Sequence, residues 1–150
     1  MKKPISPLGH GVLDYGSVAF MLAAPSLLGL RGPARTLSYA FAGMYLGVSA
    51  LTRMPLGLAK LIPFPVHGTI ELASTPALIG LPLLLGALGT TRERLYFAGL
   101  LGTVLTAYSL TDWQAGAEAP AEGASIEMQP SPEVQAELER RYGGAERSLH

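Results

Sequence analysis

The sequence predicts an all-α fold: a four-helix transmembrane bundle made of two tandem two-helix repeats, followed by a flexible acidic C-terminal tail. Three observations carry this. Of 150 residues, 49% are hydrophobic and only 15% charged, with a mean hydropathy of +0.32, whereas soluble domains carry roughly 25% charge. Four uncharged runs, Tyr15 to Leu30, Thr36 to Thr52, Leu72 to Thr91 and Leu95 to Thr111, are each 16 to 20 residues long. As helices they span roughly 25 to 30 Å, close to the thickness of a hydrocarbon core. The third observation is an internal copy of the first pair of runs in the second.

The first run follows Lys2 and Lys3 and so has the outline of a secretory leader. Asp14 would interrupt the apolar region of such a leader, and the segment recurs later, so it is expected to be a structural helix. HGVLDYGSVAFMLAAPSLLGL from His10 aligns with HGTIELASTPALIGLPLLLGA from His67 at a shift of 57 residues without gaps. His10 meets His67, Gly11 meets Gly68, Asp14 meets Glu71, Ser17 meets Ser74 and Pro25 meets Pro82. Lys3 falls on Lys60 and Ile5 on Ile62 upstream; Arg35 falls on Arg92 and Tyr39 on Tyr96 downstream. A two-residue slip then places Gly43 on Gly102 and the pair Leu51, Thr52 on Leu110, Thr111. This is the signature of a duplicated hairpin. Repeat 1 covers about residues 3–53 and repeat 2 about 60–112. With two spans in each unit, the copies share one orientation and are related by an axis along the membrane normal, which puts both histidines on one side.

The segments flanking the runs complete the first domain, residues 1–112. Tyr15, Tyr39, Tyr96 and Trp113 stand near run ends, where amphipathic rings favour the headgroup zone. Pro25, Pro76 and Pro82 fall within runs, as membrane helices tolerate. Lys2, Lys3, Arg53 and Lys60 flank one face, and Arg31, Arg35, Arg92 and Arg94 the other. This balance gives the positive-inside rule nothing to act on. Both termini are expected on the same side of a cell membrane, the cytoplasmic side being preferred because the long acidic tail then needs no export. Pro55 to Val66, with Lys60 among apolar residues, reads as a connector lying in the interface.

Residues 113–150 form the second part. The zero net charge splits into +4 over residues 1–112 and −4 over the remainder. From Gln114 to Pro130 the composition of Ala, Glu, Gly and Pro describes a linker. Ser131, Pro132 and Glu133 open a short helix with Val134, Leu138 and Tyr142 on one stripe, and Gly143 and Gly144 close it. The reading of this segment is a solvated helix or one that docks on a protein partner or the membrane. The charge arrangement disfavours nucleic acid, and the absence of Cys removes thiolate metal sites and thiol nucleophiles.

The His, Gly, two residues, Asp pattern, the Pro with LLG downstream, the Leu-Thr pair and "PLGLAKLIPFPVHG" before a second copy resemble the bacterial SPW-repeat membrane proteins. The resemblance covers about residues 3–112. It implies a small integral membrane protein built from two-helix repeats and supplies no activity. The Ser-Pro-Trp positions read Ala24, Pro25, Ser26 and Leu81, Pro82, Leu83, so only the proline of that signature is retained.

Chemistry concentrates in one constellation. His10 with Asp14, and His67 with Glu71, are spaced i, i+4 and so share a helix face. A carboxylate inside a membrane segment faces the interior and needs a partner. Brought together by the repeat, the four side chains permit a hydrogen-bonded packing layer, a divalent metal site, or a bis-His haem or proton relay. Glu-x-x-His spacing, the mark of di-iron bundles, is absent. Gly43 with Gly47, and Ala98 with Gly102, form small-xxx-small pairs expected at helix packing faces, within the chain or in a homo-oligomer. No nucleophile elbow, phosphate loop, dinucleotide fingerprint or HExxH is present. The sequence therefore favours a non-enzymatic structural or interaction protein of the lipid bilayer. A metal- or haem-binding membrane protein is the alternative, and a small transporter or proton relay ranks below both.

Overall fold

The computed structural model describes residues 3–115 and, beyond them, Glu133, Val134, Glu137, Arg140 and Arg141. The chain divides into two units, Met1–Ala119 and Pro120–His150. In the second unit the five described residues are helical, as expected near the predicted tail helix. Lys2, the linker from residue 116 onward, Ser131, Pro132, Leu138, Tyr142, Gly143 and Gly144 lie outside the described residues.

The first unit is all-helical: α1 Pro7–Leu27, α2 Gly32–Leu51, α3 Phe64–Ser74, α4 Ala77–Leu84 and α5 Thr91–Leu110. α3 and α4 form one interrupted stretch. Pro76 has no N–H to donate, and the bonds around it shorten to Leu78 N–H on Thr75 and Ile79 N–H on Pro76 before the α pattern resumes with Gly80 on Pro76. Four helical stretches result, matching the number of apolar runs. The helices nevertheless start earlier than the runs, because His10, Asp14, His67 and Glu71 lie inside α1 and α3 rather than before them.

The helix ends follow local chemistry. Ser6 caps α1 by accepting from Gly9 N–H at 3.2 Å, with Pro7 at the first helical position. Thr90 and Glu93 form a reciprocal capping box on α5. α1 and the α3–α4 stretch both end on a left-handed glycine, Gly29 at φ 63° and Gly86 at φ 68°. The next amides, of Leu30 and Ala87, reach back to the carbonyls of Pro25 and Pro82 at 3.0 and 2.7 Å, the Schellman arrangement that satisfies terminal carbonyls. Arg92 donates to Leu28 O at 2.7 Å and ties the start of α5 to the end of α1.

α1 packs along α2, α4 and α3 along α5, and α2 against α4. The apolar core comprises Val18, Met21 and Ala24 of α1, Leu37, Phe41, Ala42 and Tyr45 of α2, Leu78 of α4, and Tyr96, Phe97, Leu100 and Val104 of α5, among others. Tyr96 is therefore not an interfacial ring: it is buried, and its hydroxyl donates to Ser38 Oγ at 2.6 Å while Ser38 donates to Met21 O. Two short bridges join the far ends of the helices. Ile5 pairs with the exit of α5 through Leu110 O and Asp112 N–H, and Ile62 pairs with the exit of α2 through Leu51 O and Arg53 N–H. These bridges bring the C-cap residues of α2 and α5, Thr52 and Thr111, beside the first turns of α3 and α1. No helix among the described residues is both long and apolar enough to cross a membrane.

Gly43, Gly47, Ala98 and Gly102 do not pack helices together within the chain. The buried faces of α2 and α5 run through Leu37, Phe41, Tyr45 and Ser49 and through Phe97, Leu100, Val104 and Ala107. That periodicity turns the small residues outward: all four are exposed, and a Cβ added at Gly43, Gly47 or Gly102 would meet nothing within 4 Å.

Candidate metal centre

His10 and Asp14 lie one turn apart on the inner face of α1, and His67 and Glu71 hold the same relation on α3. All four are buried, none more than 5% exposed. The two imidazoles meet edge to face with Nε2 atoms 3.3 Å apart. Asp14 sits between them, Oδ1 at 3.3 Å from His10 Nε2 and Oδ2 at 3.4 Å from His67 Nε2. Glu71 Oε2 is 3.7 Å from His10 Nε2. The structure thus joins every residue of the constellation expected from the sequence.

Hydrogen bonding fixes what these groups present. Thr52 Oγ1 lies 2.8 Å from His67 Nδ1, and Thr111 Oγ1 lies 2.9 Å from His10 Nδ1. Each threonine has one hydroxyl proton, and each spends it on the carbonyl one turn back, Val48 O at 2.7 Å and Ala107 O at 2.6 Å. The hydroxyls can therefore only accept from the rings, so Nδ1 carries the proton in both histidines and both Nε2 lone pairs turn inward. Two such lone pairs and two Asp14 oxygens form a set of facing acceptors, with Glu71 Oε2 beside His10. Ser49 donates to Asp14 Oδ2 at 2.7 Å and orients that carboxylate. Glu71 has no such support, and its Oε2 is buried without a hydrogen-bond partner. Converging acceptors in a buried site need a cation or an added proton to offset their repulsion.

The spacing suits a small metal ion. Ligands about 2.0 to 2.1 Å from a tetrahedral zinc stand about 3.3 to 3.4 Å apart, the separation found between the two Nε2 atoms and from each to Asp14. Suitable ligand atoms of His10, Asp14 and His67 all lie within 4.8 Å of one another; Glu71 stands outside that group, its Oε2 3.7 Å from His10 Nε2. The threonines hold the far ring nitrogens in the way that outer partners orient metal-ligating histidines.

Haem does not fit. A macrocycle would have to enter between two nitrogens already 3.3 Å apart, across the position of Asp14. The site is also roofed by aromatic rings. Trp113, placed by sequence at the membrane interface and at the start of the tail, packs on His10 at 4.6 Å, Phe64 at 4.9 Å and His67 at 6.0 Å between centroids. Phe64, within the connector read as interfacial, is fully buried against His10. Gly68 makes room for this roof, since a Cβ there would stand 2.8 Å from Trp113 Cδ2 and Cε3.

Sequence reasoning missed Thr52, Thr111, Ser49 and Trp113 as parts of the site. The alignment of Leu51, Thr52 with Leu110, Thr111 was the available signal, because threonines at equivalent positions serve histidines at equivalent positions. Ser49 carried no such signal, its counterpart being Tyr108. No family model matches the chain, and neither a curated protein nor a solved structure is significantly similar to it.

Proposed function

We propose that this chain is a membrane-embedded metal-binding protein in which two tandem helical hairpins hold one divalent transition-metal ion between His10, Asp14, His67 and Glu71. The carrying observation is the inward convergence of two Nε2 lone pairs and the carboxylate oxygens, with both Nδ1 atoms committed to threonine hydroxyls. A packing layer would need an added proton on a carboxyl or an imidazole to supply its donors, whereas one divalent ion answers all of these acceptors together. Two nitrogen and two oxygen ligands suit zinc, iron(II) or manganese(II).

The tandem arrangement is supported by contacts that recur with the shifts of the sequence copy. Thr52 on His67 corresponds to Thr111 on His10, the Ile62 bridge to the Ile5 bridge, and the Gly86 helix end to the Gly29 end. The membrane reading is supported by the exterior. Leu8, Val12, Phe20 and Leu22 of α1, Met44 and Leu46 of α2, Leu83 and Leu84 of α4, and Leu95 and Leu105 of α5 are exposed. So broad an apolar surface is rare on a monomer facing water. Four of the polar residues that lower the hydropathy of α1 and α2, His10, Asp14, Ser38 and Ser49, are buried, so the mean understates the outward face. α3 and α4 are each too short to span, yet Phe64 to Leu84 is a 21-residue stretch, about 30 Å as a helix.

Elemental analysis of the detergent-purified full chain tests the proposal. One equivalent of zinc, iron or manganese, lost in a His10→Ala, His67→Ala double variant, is expected. A metal-free protein that cannot be loaded would overturn it and return the layer to a packing role.

A further inference from the structure

Between α2 and α3, beside the four-ligand cluster, lies a cavity of about 20 Å³. Its polar lining comes from Tyr45, Ser49, His67, Glu71 and Ser74, and Val48 contributes to its apolar wall. Tyr45 is 8% and Glu71 5% exposed. Among the described residues, Tyr45 Oη and Glu71 Oε2 are the buried side-chain atoms that lack a hydrogen-bond partner, and both residues line this one cavity. A buried hydroxyl without a partner is destabilising, so a tyrosine there in place of phenylalanine needs a reason. The volume exceeds the roughly 10 to 15 Å³ needed for one water-sized occupant.

The two hairpins differ here. Ser49 secures Asp14 from α2, whereas the position equivalent to Tyr45 on α5 is Val104, two residues whose correspondence follows the same slip that pairs Gly43 with Gly102. A metal site that only stabilised the fold would have no use for a cavity that leaves two polar side-chain atoms without partners on one side of its axis. Closed structural sites use four protein ligands, while reactive ones use three and keep a position for an exogenous ligand; the residues whose ligand atoms cluster here are His10, Asp14 and His67.

We propose that the metal centre has an exchangeable coordination position opening into the α2–α3 cavity, and that it takes a water or a small inorganic anion to which Tyr45 Oη donates a hydrogen bond. This rests on the metal-binding reading. The step is ligand exchange alone: the anion's lone pair forms the new bond to the metal, the coordinated water leaves, and no electron changes owner. The small cavity limits the ligand to the size of hydroxide or of a slender anion bound end-on.

Cobalt(II) loading followed by azide titration of the full chain in detergent tests this, with cobalt stoichiometry and the visible d–d spectrum read separately. The wild type is expected to bind one cobalt and to show a saturable spectral change with azide. Tyr45→Phe is expected to weaken azide about tenfold while cobalt stoichiometry stays at one. Val48→Ile, which adds one methylene to the cavity wall, is expected to abolish the azide response. Cobalt bound with a spectrum indifferent to azide, or an azide response equal in all three proteins, overturns the open position and leaves the metal centre standing. Failure to bind cobalt overturns both.

Discussion

His10 and His67 face each other through their Nε2 atoms at 3.3 Å, each with its far nitrogen held by a threonine that ends another helix. The bundle thus builds its centre from four helical ends: α1 and α3 supply the inner groups, and the exits of α2 and α5 supply the groups that aim them.

Thr52→Val and Thr111→Val test that division of labour. Valine keeps the shape and removes the acceptor for Nδ1–H. Loss of such an outer partner typically weakens metal affinity 10- to 100-fold. Each single variant is expected to fall in that range by competition with a chromogenic chelator, and Thr→Ser to restore most of the loss. Equal affinity in wild type and both valine variants would contradict the tautomer assignment.

Metal removal should be legible in stability. A ligand present at about a hundredfold its dissociation constant stabilises the native state by about 2.7 kcal/mol, which for a chain of this length raises Tm by roughly 5 to 10 °C. Thermal unfolding in detergent is therefore expected to shift down on chelation and to recover on adding metal. In an Asp14→Asn, Glu71→Gln double variant, neither change should appear.

The parts of this centre that were legible in the sequence were those with a repeating code. His10, Asp14, His67 and Glu71 could be grouped because the i, i+4 spacing and the 57-residue shift together force them into one layer. The number of helical stretches followed from the apolar runs. Less visible was where each helix turns its face. Gly43 and Gly47 satisfy a packing motif, yet the larger residues Phe41, Tyr45 and Ser49 determine which side of α2 is buried. Trp113 and Tyr96 have the chemistry of interfacial rings, yet the bridge at Ile5 and the bond to Tyr108 O hold Trp113 against the site, and the bond to Ser38 accompanies the burial of Tyr96. The motif supplies a local preference; burial of the larger side chains overrides it.

Gly43→Ala and Gly47→Ala follow from that correction. With open space around both positions and a helix propensity gain of up to about 1 kcal/mol each, the monomer's Tm is expected to hold or rise. A drop in Tm tied to loss of a dimer on size-exclusion chromatography would instead identify this face as a seam between copies.

The exterior of α5 tests the membrane reading. Leu105 is exposed, so Leu105→Lys removes nothing from the core. In a hydrocarbon environment a mid-helix lysine costs about 2.5 to 3.5 kcal/mol, and less protein is expected in carbonate-washed membranes. In water the same change would leave yield unchanged or raise it, and that outcome would count against a bilayer.

Gly68→Ala reports on the aromatic roof. The new methyl would lie 2.8 Å from two Trp113 ring atoms, closer than carbon atoms approach, so the indole must move off the His10 and His67 rings. Overpacking of this kind costs about 1 to 3 kcal/mol. Trp113 is the one tryptophan of the chain, so its emission reads this region alone. A red shift and easier quenching by acrylamide are expected, together with faster release of metal to a chelator, because the roof separates the centre from solvent. Gly11→Ala is the matched control. Its Cβ would meet the flexible ends of Leu56 and Met54 at 3.3 Å, which can give way, so its emission should stay at the wild-type position. Identical spectra for both variants would mean that Trp113 does not rest on Gly68.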